Sequence, residues 1–215
     1  EICCCTPPPT NPITLVALDI AGIDEIYRVG GAQAIAAMAL GTETIPRVEK
    51  IVGPGNVYVT AAKMLLRDEA EIDFPAGPSE IAILADGTAN PTFVAADILA
   101  QAEHDPNAAC VLVTTDAVLA DRVGAEVKRM AAGAARREII DRALGNSGYI
   151  VATDIDAAVE TVDAIAPEHL SIQVADPLAV LTRVRNAGSI FVGPYAAVAC
   201  GDYASGTNHV LPTAG

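Results

Sequence analysis

A glutamate and a histidine stand next to each other in the stretch "APEHL" at residues 166–170, which is predicted to be a βα loop or a strand-entry loop. An adjacent carboxylate and imidazole can provide two proton acceptors, one to activate water and one to deprotonate a substrate hydroxyl. The same stretch also suits the first turn of a helix, with Pro167 at the N1 position and Glu168 complementing the helix dipole. The residue types leave both interpretations open, and they make Glu168 and His169 candidates for an acid/base pair.

A second group of candidates lies in "LAQAEHDP", where Gln101 and His104 are three residues apart. On a helix this spacing places both side chains on one face, where a single ion or ligand can meet them. Amide, imidazole and carboxylate ligands together suit zinc, and Asp202 in "GDYASGTNH" would supply the carboxylate. The alternative is a polar helix end without a ligand, which the spacing alone favours.

Two glycine-rich turns, "VGGAQA" and "VGPGN", each follow a predicted strand and precede a predicted helix. Backbone N–H groups at a helix N-terminus form a seat for an anion or a cofactor, and Gln33 and Asn56 are the side chains placed to bind it. Neither turn completes G-x-G-x-x-G, so a strict dinucleotide-binding fingerprint is absent. Glycine turns that bind nothing are common, and this alternative stays open for both.

Ser79, in "PAGPSE", is either a helix cap or a substrate contact, and it lacks the G-x-S-x-G elbow of hydrolases. In open parallel sheets, ligands bind at loops that follow the carboxyl ends of strands. We therefore expect five such loops to carry the candidates, at residues 29–34, 52–56, 75–80, 166–170 and 201–209.

Short apolar runs alternate with longer helical patterns along the whole chain. The predicted strands are residues 1–5, 24–29, 48–53, 80–86, 108–115, 148–153 and 188–193. The predicted helices are residues 11–22, 32–40, 57–67, 91–104, 116–134, 136–146, 155–165 and 177–186. Strands spaced by such helices imply parallel sheets covered by helices on both faces. The sequence therefore predicts an α/β fold in two units that meet near residue 80.

The composition narrows the class of protein. The 215 residues are 52% hydrophobic but only 4% aromatic, so the core must be built from small and branched aliphatic side chains. A formal net charge of −14 would repel a polyanion, so we expect no nucleic-acid partner. No apolar run has the length of a membrane span, so we expect no membrane partner either. Five cysteines, three of them consecutive, are interpreted as reduced thiols in a cytoplasmic protein.

Five stretches resemble, in this order, the signature sequences of the histidinol dehydrogenase family. They are "VGGAQAIAAMALGTETIPRVEKIVGPGN", "DFPAGPSE", "LAQAEHDP", "APEHL" and "GDYASGTNHVLPT". The resemblance runs through essentially the whole chain. It implies a zinc-dependent, four-electron oxidation of L-histidinol through L-histidinal to L-histidine with two NAD, the last step of histidine biosynthesis. It also implies two incomplete Rossmann-like, three-layer units with parallel sheets, similar to those of aldehyde dehydrogenases.

The resemblance also implies a role for each matching residue. Gln101, His104 and Asp202 would bind zinc, Glu168 and His169 would form the acid/base pair, Gln33 and Asn56 would contact NAD, and Ser79, Gln101, His104, His169, Asp202 and His209 would line the substrate pocket. Residues 1–80 would then form an NAD-binding unit and residues 81–215 a zinc and substrate unit. The family resemblance further implies a cytoplasmic homodimer.

Members of the family continue on both sides of the stretch that this chain matches. We therefore expect the chain to be the central portion of a histidinol dehydrogenase, weakly active or inactive by itself. Two other hypotheses stay open. One is a paralogue with the same fold that oxidises another small polar alcohol with NAD. The other is a folded module that carries out no catalysis.

Overall fold

A computed structural model describes residues 1–73 and 79–205 of the chain. The chain divides into two compact units, Glu1–Ala76 and Gly77–Gly215. All strand pairs within the described residues are parallel, as expected when strands and helices alternate. The predicted α/β fold class is confirmed. No helix in the described part of the chain combines the length and the apolar character that crossing a bilayer requires.

The first unit contains short strands and three helices in its described residues. Its elements are β1 (Cys3–Cys5), α1 (Pro12–Ile20), β2 (Glu25–Tyr27), α2 (Gly31–Leu40), β3 (Lys50–Ile51), α3 (Val57–Leu65) and β4 (Glu71–Ile72). β1 pairs with β2 and β3 pairs with β4, so these strands form two small sheets rather than one continuous sheet. The sequence analysis missed β4, because two residues are too few to show a periodic pattern.

Local signals set the helix ends of the first unit. The Oδ1 of Asn11 accepts a hydrogen bond from the N–H of Ile13 at 2.9 Å, and Pro12 takes the first helical position of α1. Gly41 ends α2 with a φ of 77°, a conformation that glycine adopts without strain. Both ends agree with the sequence prediction. A small core of Ile35, Ile51 and neighbouring aliphatic residues lies between α2, α3 and β3.

The second unit is built on one five-stranded parallel sheet. Its elements are β5 (Glu80–Ala85), α4 (Pro91–Ala102), β6 (Ala109–Thr114), α5 (Ala117–Ala131), α6 (Arg137–Leu144), β7 (Gly148–Val151), α7 (Ile155–Ile165), β8 (His169–Gln173), α8 (Pro177–Leu181), β9 (Ser189–Val192) and α9 (Val198–Tyr203). The strand order is β7-β6-β5-β8-β9. The direction of strand order reverses between β5 and β8, which makes this the topological switch point.

Helices cover both faces of this sheet and create two separate cores. On one face, side chains of β5 and β6 such as Ile83 and Leu112 pack with α4, α5 and α6. On the other face, Leu84, Leu170 and Ile172 pack with α7 and α8. The unit is therefore a three-layer α/β structure, and its central strands are buried on both sides as parallel strands usually are.

Strand β8 is the main difference from the sequence prediction. The sequence analysis predicts a βα loop or a strand-entry loop at residues 166–170, with the first turn of a helix as an alternative, and it predicts no strand over residues 169–173. In the structure Ala166 ends α7 in the left-handed conformation, with a φ of 50°, and the chain then enters β8 at His169. Two smaller corrections concern helices: α8 is shorter than the predicted 177–186, and α9 was not predicted.

Candidate active site

Five candidate residues of the second unit lie at the amino edge of its sheet: Ser79, Gln101, His104, Glu168 and His169. Glu168 directly precedes β8, His169 begins it, and Ser79 directly precedes β5. Helix α4 runs back from the carboxyl end of β5, so Gln101 near its end and His104 beyond it also lie toward the amino edge. The placement of residues 166–170 after a strand is therefore wrong, and the alternative placement, at the entry to a strand, is confirmed.

At the carboxyl edge of the sheet, near the switch point, aspartate side chains accept hydrogen bonds from backbone N–H groups. Asp86 accepts a hydrogen bond from the N–H of Ala175 through Oδ2 at 2.9 Å. Asp154 and Asp176 cap the N-termini of α7 and α8 through their side chains. Because these carboxylates already pair with the backbone donors there, the usual ligand position of an open α/β sheet is used for capping in this unit.

The backbone of Glu80 holds the candidate acid/base pair in place. Its N–H donates to Oε2 of Glu168 at 3.2 Å, and its carbonyl oxygen lies 3.2 Å from Nδ1 of His169. Oε2 of Glu168 and Nδ1 of His169 are 3.8 Å apart. Both residues are buried, with 5% of Glu168 and 3% of His169 exposed. The first residue of β5 therefore fixes both side chains at the start of β8.

The contact with Glu80 assigns the tautomer of His169. A carbonyl oxygen only accepts hydrogen bonds, so Nδ1 must carry the proton, and the neutral ring then has its acceptor lone pair on Nε2. The ring packs against Phe191 of β9, with the two centroids 6.0 Å apart. A ring held on one side by a carbonyl and on another by an aromatic side chain is oriented to accept a proton through Nε2.

A polar contact joins helix α4 to β8 further along the strand than His169. Asp97 Oδ2 accepts hydrogen bonds from Nε2 of Gln173 at 2.9 Å and from Oγ of Ser171 at 3.4 Å. From Asp97 to Gln101 the helix rises about 6 Å, and from Ser171 back to His169 the strand covers about 6.6 Å. Since α4 runs antiparallel to the strand, these two steps would bring Gln101 level with His169.

Two of the three predicted zinc ligands are described in the structure. Gln101 is 6% exposed, and no hydrogen bond of its side-chain amide is found within residues 1–73 and 79–205. His104 lies in the turn after α4, where its N–H bonds to the carbonyl of Gln101 at 3.1 Å. An amide and an imidazole three residues apart at a helix end are ligand types that zinc accepts. No group of three or more His, Cys, Asp or Glu side chains poised to hold a metal occurs in the described residues.

Two other predicted residues lie beyond what the structure describes. The side chain of Asp202 is outside the described set, although its backbone belongs to α9. His209 is outside the described residues altogether. Their assignments as zinc and substrate contacts stay predictions.

The two predicted cofactor residues occupy helix starts in the first unit. Gln33 is exposed in the first turn of α2, whose N-cap, Gly30, makes no side-chain cap. Asn56 is the N-cap of α3 and accepts hydrogen bonds through Oδ1 from the N–H groups of Tyr58 and Val59. The uncapped start of α2 fits an anion seat. Asn56 fits less fully, because its oxygen already serves the helix and only Nδ2 is left to donate.

Sequence reasoning missed Asp97, Ser171, Gln173 and the backbone role of Glu80. A signal for Ser171 and Gln173 exists in "HLSIQ", which alternates polar and apolar residues. A central parallel strand is usually apolar on both faces, so alternation in β8 indicates that one face meets polar groups. The role of Glu80 could not be predicted from its residue type, because its backbone atoms make both contacts.

A parallel sheet between two helix layers, with polar residues at the start of a central strand, defines a three-layer α/β protein. The delta-pyrroline-5-carboxylate dehydrogenase of Mycobacterium tuberculosis shares this fold, with a TM-score of 0.58 at 14% identity over 94% of this chain and 51% of that chain. The family model of histidinol dehydrogenase matches residues 1–215, and the chain belongs to that family.

Individual relatives agree with this assignment. The histidinol dehydrogenase of Methanosarcina mazei is 56% identical over 219 residues, which cover 100% of this chain and 51% of the relative. The crystal structure of histidinol dehydrogenase from Elizabethkingia anophelis is similar with a TM-score of 0.96 and 44% identity, over 100% of this chain and 51% of that chain. The resemblance predicted from the sequence is confirmed, and the chain spans about half the length of the curated relatives it matches.

Proposed function

We propose that this chain forms the central part of a cytoplasmic, homodimeric histidinol dehydrogenase. The complete enzyme would oxidise L-histidinol through L-histidinal to L-histidine, with zinc and two NAD. Family membership supports the proposal, and one structural observation carries it: the backbone of Glu80 holds a buried carboxylate and a buried imidazole side by side. Two adjacent proton acceptors suit a reaction with two different proton transfers.

His169 is the proposed base for the first oxidation. The removal of hydride from an alcohol carbon requires that the hydroxyl group lose its proton. His169 keeps its own proton on Nδ1, bonded to the carbonyl of Glu80, so Nε2 accepts the proton from the hydroxyl. The ring does not need to reorient, because the carbonyl and Phe191 already fix its plane.

Glu168 is the proposed base for the second oxidation. An aldehyde must add water before a second hydride can leave, so this half-reaction needs a group that activates water. The Glu168 carboxylate is 5% exposed, and the N–H of Glu80 orients it through Oε2. A carboxylate held in this way can remove a proton from water while His169 serves the alcohol.

Residues of the second unit would hold zinc, and residues of the first unit would contact NAD. Gln101, His104 and Asp202 are the proposed zinc ligands, and Gln33 and Asn56 the proposed NAD contacts. When bound, zinc would polarise and position the amino alcohol as a Lewis acid, and NAD would accept the hydride. Ser79 and His209 are proposed as further substrate contacts, together with Gln101, His104, His169 and Asp202.

The test is an assay of NADH absorbance with L-histidinol, NAD and zinc. It should be run on these 215 residues and on the same sequence extended to the length of its curated relatives. We expect turnover from the extended polypeptide and little or none from the shorter chain. Full turnover by the 215 residues would contradict the proposal that other regions are needed. Oxidation of another small polar alcohol, without histidinol oxidation, would favour the paralogue.

A further inference from the structure

One face of β8 is polar although the strand lies inside the sheet. His169, Ser171 and Gln173 alternate with Leu170 and Ile172, and the apolar pair belongs to the core formed with α7 and α8. The three polar side chains therefore point to the opposite face, where α4 packs. His169 belongs to the proposed acid/base pair. The reaction proposed above uses neither Ser171 nor Gln173.

Asp97 of α4 binds both of these unused residues. Its Oδ2 accepts hydrogen bonds from Nε2 of Gln173 at 2.9 Å and from Oγ of Ser171 at 3.4 Å. Nε2 of Gln173 also lies 3.2 Å from Oγ of Ser171, so the three side chains form a closed triangle. Burial raises the pKa of the Asp97 carboxyl to about 6, and its hydrogen bonds to Ser171 and Gln173 only partly oppose that shift. A partly buried carboxyl kept despite this cost indicates a specific role.

One acceptor of the triangle, Oε1 of Gln173, receives no hydrogen bond from the described residues. Gln173 is 2% exposed, and its Oε1 is buried without a hydrogen-bond partner in the described part of the chain. An unsatisfied buried carbonyl destabilises a fold relative to an apolar side chain of the same shape. Packing alone would therefore be served better by a leucine or methionine than by Gln173. The three polar side chains are better explained by the directionality of hydrogen bonds. Directional bonds fix the register of two elements more narrowly than apolar contacts do.

The register in question is that of α4 against β8. Gln101 lies one helical turn beyond Asp97 on α4, and His169 lies two residues before Ser171 on β8. The distance along the helix and the distance along the strand are nearly equal. We propose that Asp97 is a positioning residue: through Ser171 and Gln173 it locks α4 to β8 in the register that sets Gln101 level with His169. The effect of this register on catalysis rests on the proposed function. The hydrogen-bonded lock between α4 and β8 does not.

The lock can be tested on the 215-residue chain through its histidine rings. Only three histidines are present, so each ring gives a resolvable proton–carbon NMR signal that His104→Gln and His209→Gln variants identify by elimination. Asp97→Ala and Asp97→Leu remove both hydrogen bonds, and Leu also fills the space. We expect the His169 signal to shift or broaden in both variants, because β8 is no longer held against α4.

Two variants serve as controls for this measurement. Asp97→Asn keeps an acceptor oxygen for Ser171 and adds an amide that can donate to Oε1 of Gln173, so the His169 signal should stay as in the wild type. Asp121→Asn makes the same change at an exposed site on α5 and should also have no effect. If Asp97→Ala does not fold, Gln173→Met, which removes one side of the triangle, takes its place. An unmoved His169 signal in the folded variants that break the triangle overturns the proposal.

A second measurement connects the lock to catalysis in the polypeptide extended to the relatives' length. Asp97→Ala should lower kcat by about tenfold or more, since small misplacements of reacting groups are costly. KM for NAD should stay within about twofold, because the proposed NAD contacts lie in the first unit, and Asp97→Asn should restore kcat. If the wild type does not oxidise histidinol, the proposed function is contradicted but the positioning role of Asp97 is not. That role is tested independently by the NMR signal of His169.

Discussion

The carbonyl oxygen of Glu80 lies 3.2 Å from Nδ1 of His169, in a part of the sheet where both residues begin a strand. Because the carbonyl can only accept, this single contact decides which nitrogen of the ring carries a proton. The same residue donates its N–H to Glu168. The chemistry proposed for the site depends on a backbone unit that no side-chain motif reveals.

Replacement of His169, the proposed base for alcohol oxidation, should slow the oxidation of histidinol. In His169→Gln the side chain can still donate an N–H to the carbonyl of Glu80, so we expect the fold to persist. The loss of the acceptor nitrogen should lower histidinol oxidation by about 10²-fold to 10⁴-fold. NADH formation measured in the extended polypeptide checks this. Retention of more than a tenth of the activity would exclude His169 as the base.

The carboxylate beside it should matter for only one half-reaction. In Glu168→Gln an oxygen remains to accept the N–H of Glu80, so the geometry should hold while the basicity is lost. We expect alcohol oxidation to persist and aldehyde oxidation to fall by about 10²-fold or more. Separate assays with L-histidinol and L-histidinal measure the two steps. Equal losses in both assays would refute the division of labour, and Glu160→Gln, at an exposed position of α7, is the control.

A glycine beside the pair should resist substitution. A Cβ added to Gly188 would lie 2.7 Å from the carbonyl oxygen of Glu168, a distance at which the backbone must move. We expect Gly188→Ala to lower the free energy of unfolding by about 1–3 kcal/mol, as overpacking in a tight site does. Gly148→Ala, at the start of β7, meets nothing within 4 Å and serves as the matched control. Denaturant titration measures both, and equal stabilities would contradict the prediction.

The raised pKa of Asp97 should make stability depend on pH in a defined direction. Its folded pKa is about 6 and burial is the main cause, whereas an unfolded aspartate titrates near about 3.9. The native state therefore binds the proton more tightly, and its contribution to stability, present below about pH 4, is lost as pH rises through about 6. With a discount for partial exposure, Asp97→Asn should be more stable than wild type by about 1–2 kcal/mol at pH 7.

Denaturant titrations of both chains at several pH values check the Asp97 prediction. The difference between variant and wild type should vanish below about pH 4, where the wild-type carboxyl is protonated in both states. A difference that stays constant across this range would show that the effect of the substitution is not electrostatic.

A buried ion pair should stabilise the first unit. Nζ of Lys63 lies 2.5 Å from Oδ1 of Asp73 and 2.5 Å from the carbonyl oxygen of Gly53, and the N–H of Gly53 donates to Oδ2 of Asp73 at 2.7 Å. Lys63 is 4% exposed. Asp73→Asn would leave its charge unpaired, and we expect a loss of about 3–5 kcal/mol in the free energy of unfolding.

The first unit contains its own control for the ion pair. Lys50 pairs with Glu71 at 3.1 Å on the surface, so Lys50→Met should change stability by less than about 1 kcal/mol. The double variant Lys63→Met with Asp73→Asn should cost less than the sum of the single changes, because it leaves no lone charge. Additive losses from Lys63 and Asp73 would show that the two groups are not coupled.

Local signals let the sequence predict most elements correctly. Asn11 with Pro12 and Asn90 with Pro91 mark two helix starts, and both asparagines cap their helices in the structure. Strand β8 was missed because "PEH" also suits a helix start and because its polar residues break the apolar run of a buried strand. The sheet order could not be predicted, since pairing between distant strands leaves no local pattern.

The sequence by itself determined the α/β class, the family and the identity of the candidate residues, because residue types, their order and their periodicity are properties of the chain. Only the tertiary structure decided that His169 begins a central strand at the amino edge with Glu168 directly before it, and that the backbone of Glu80 holds both. It also revealed the contact of Asp97 with Ser171 and Gln173. The reason is physical: hydrogen-bond partners 74 to 89 residues apart in sequence meet only when packing brings their elements together.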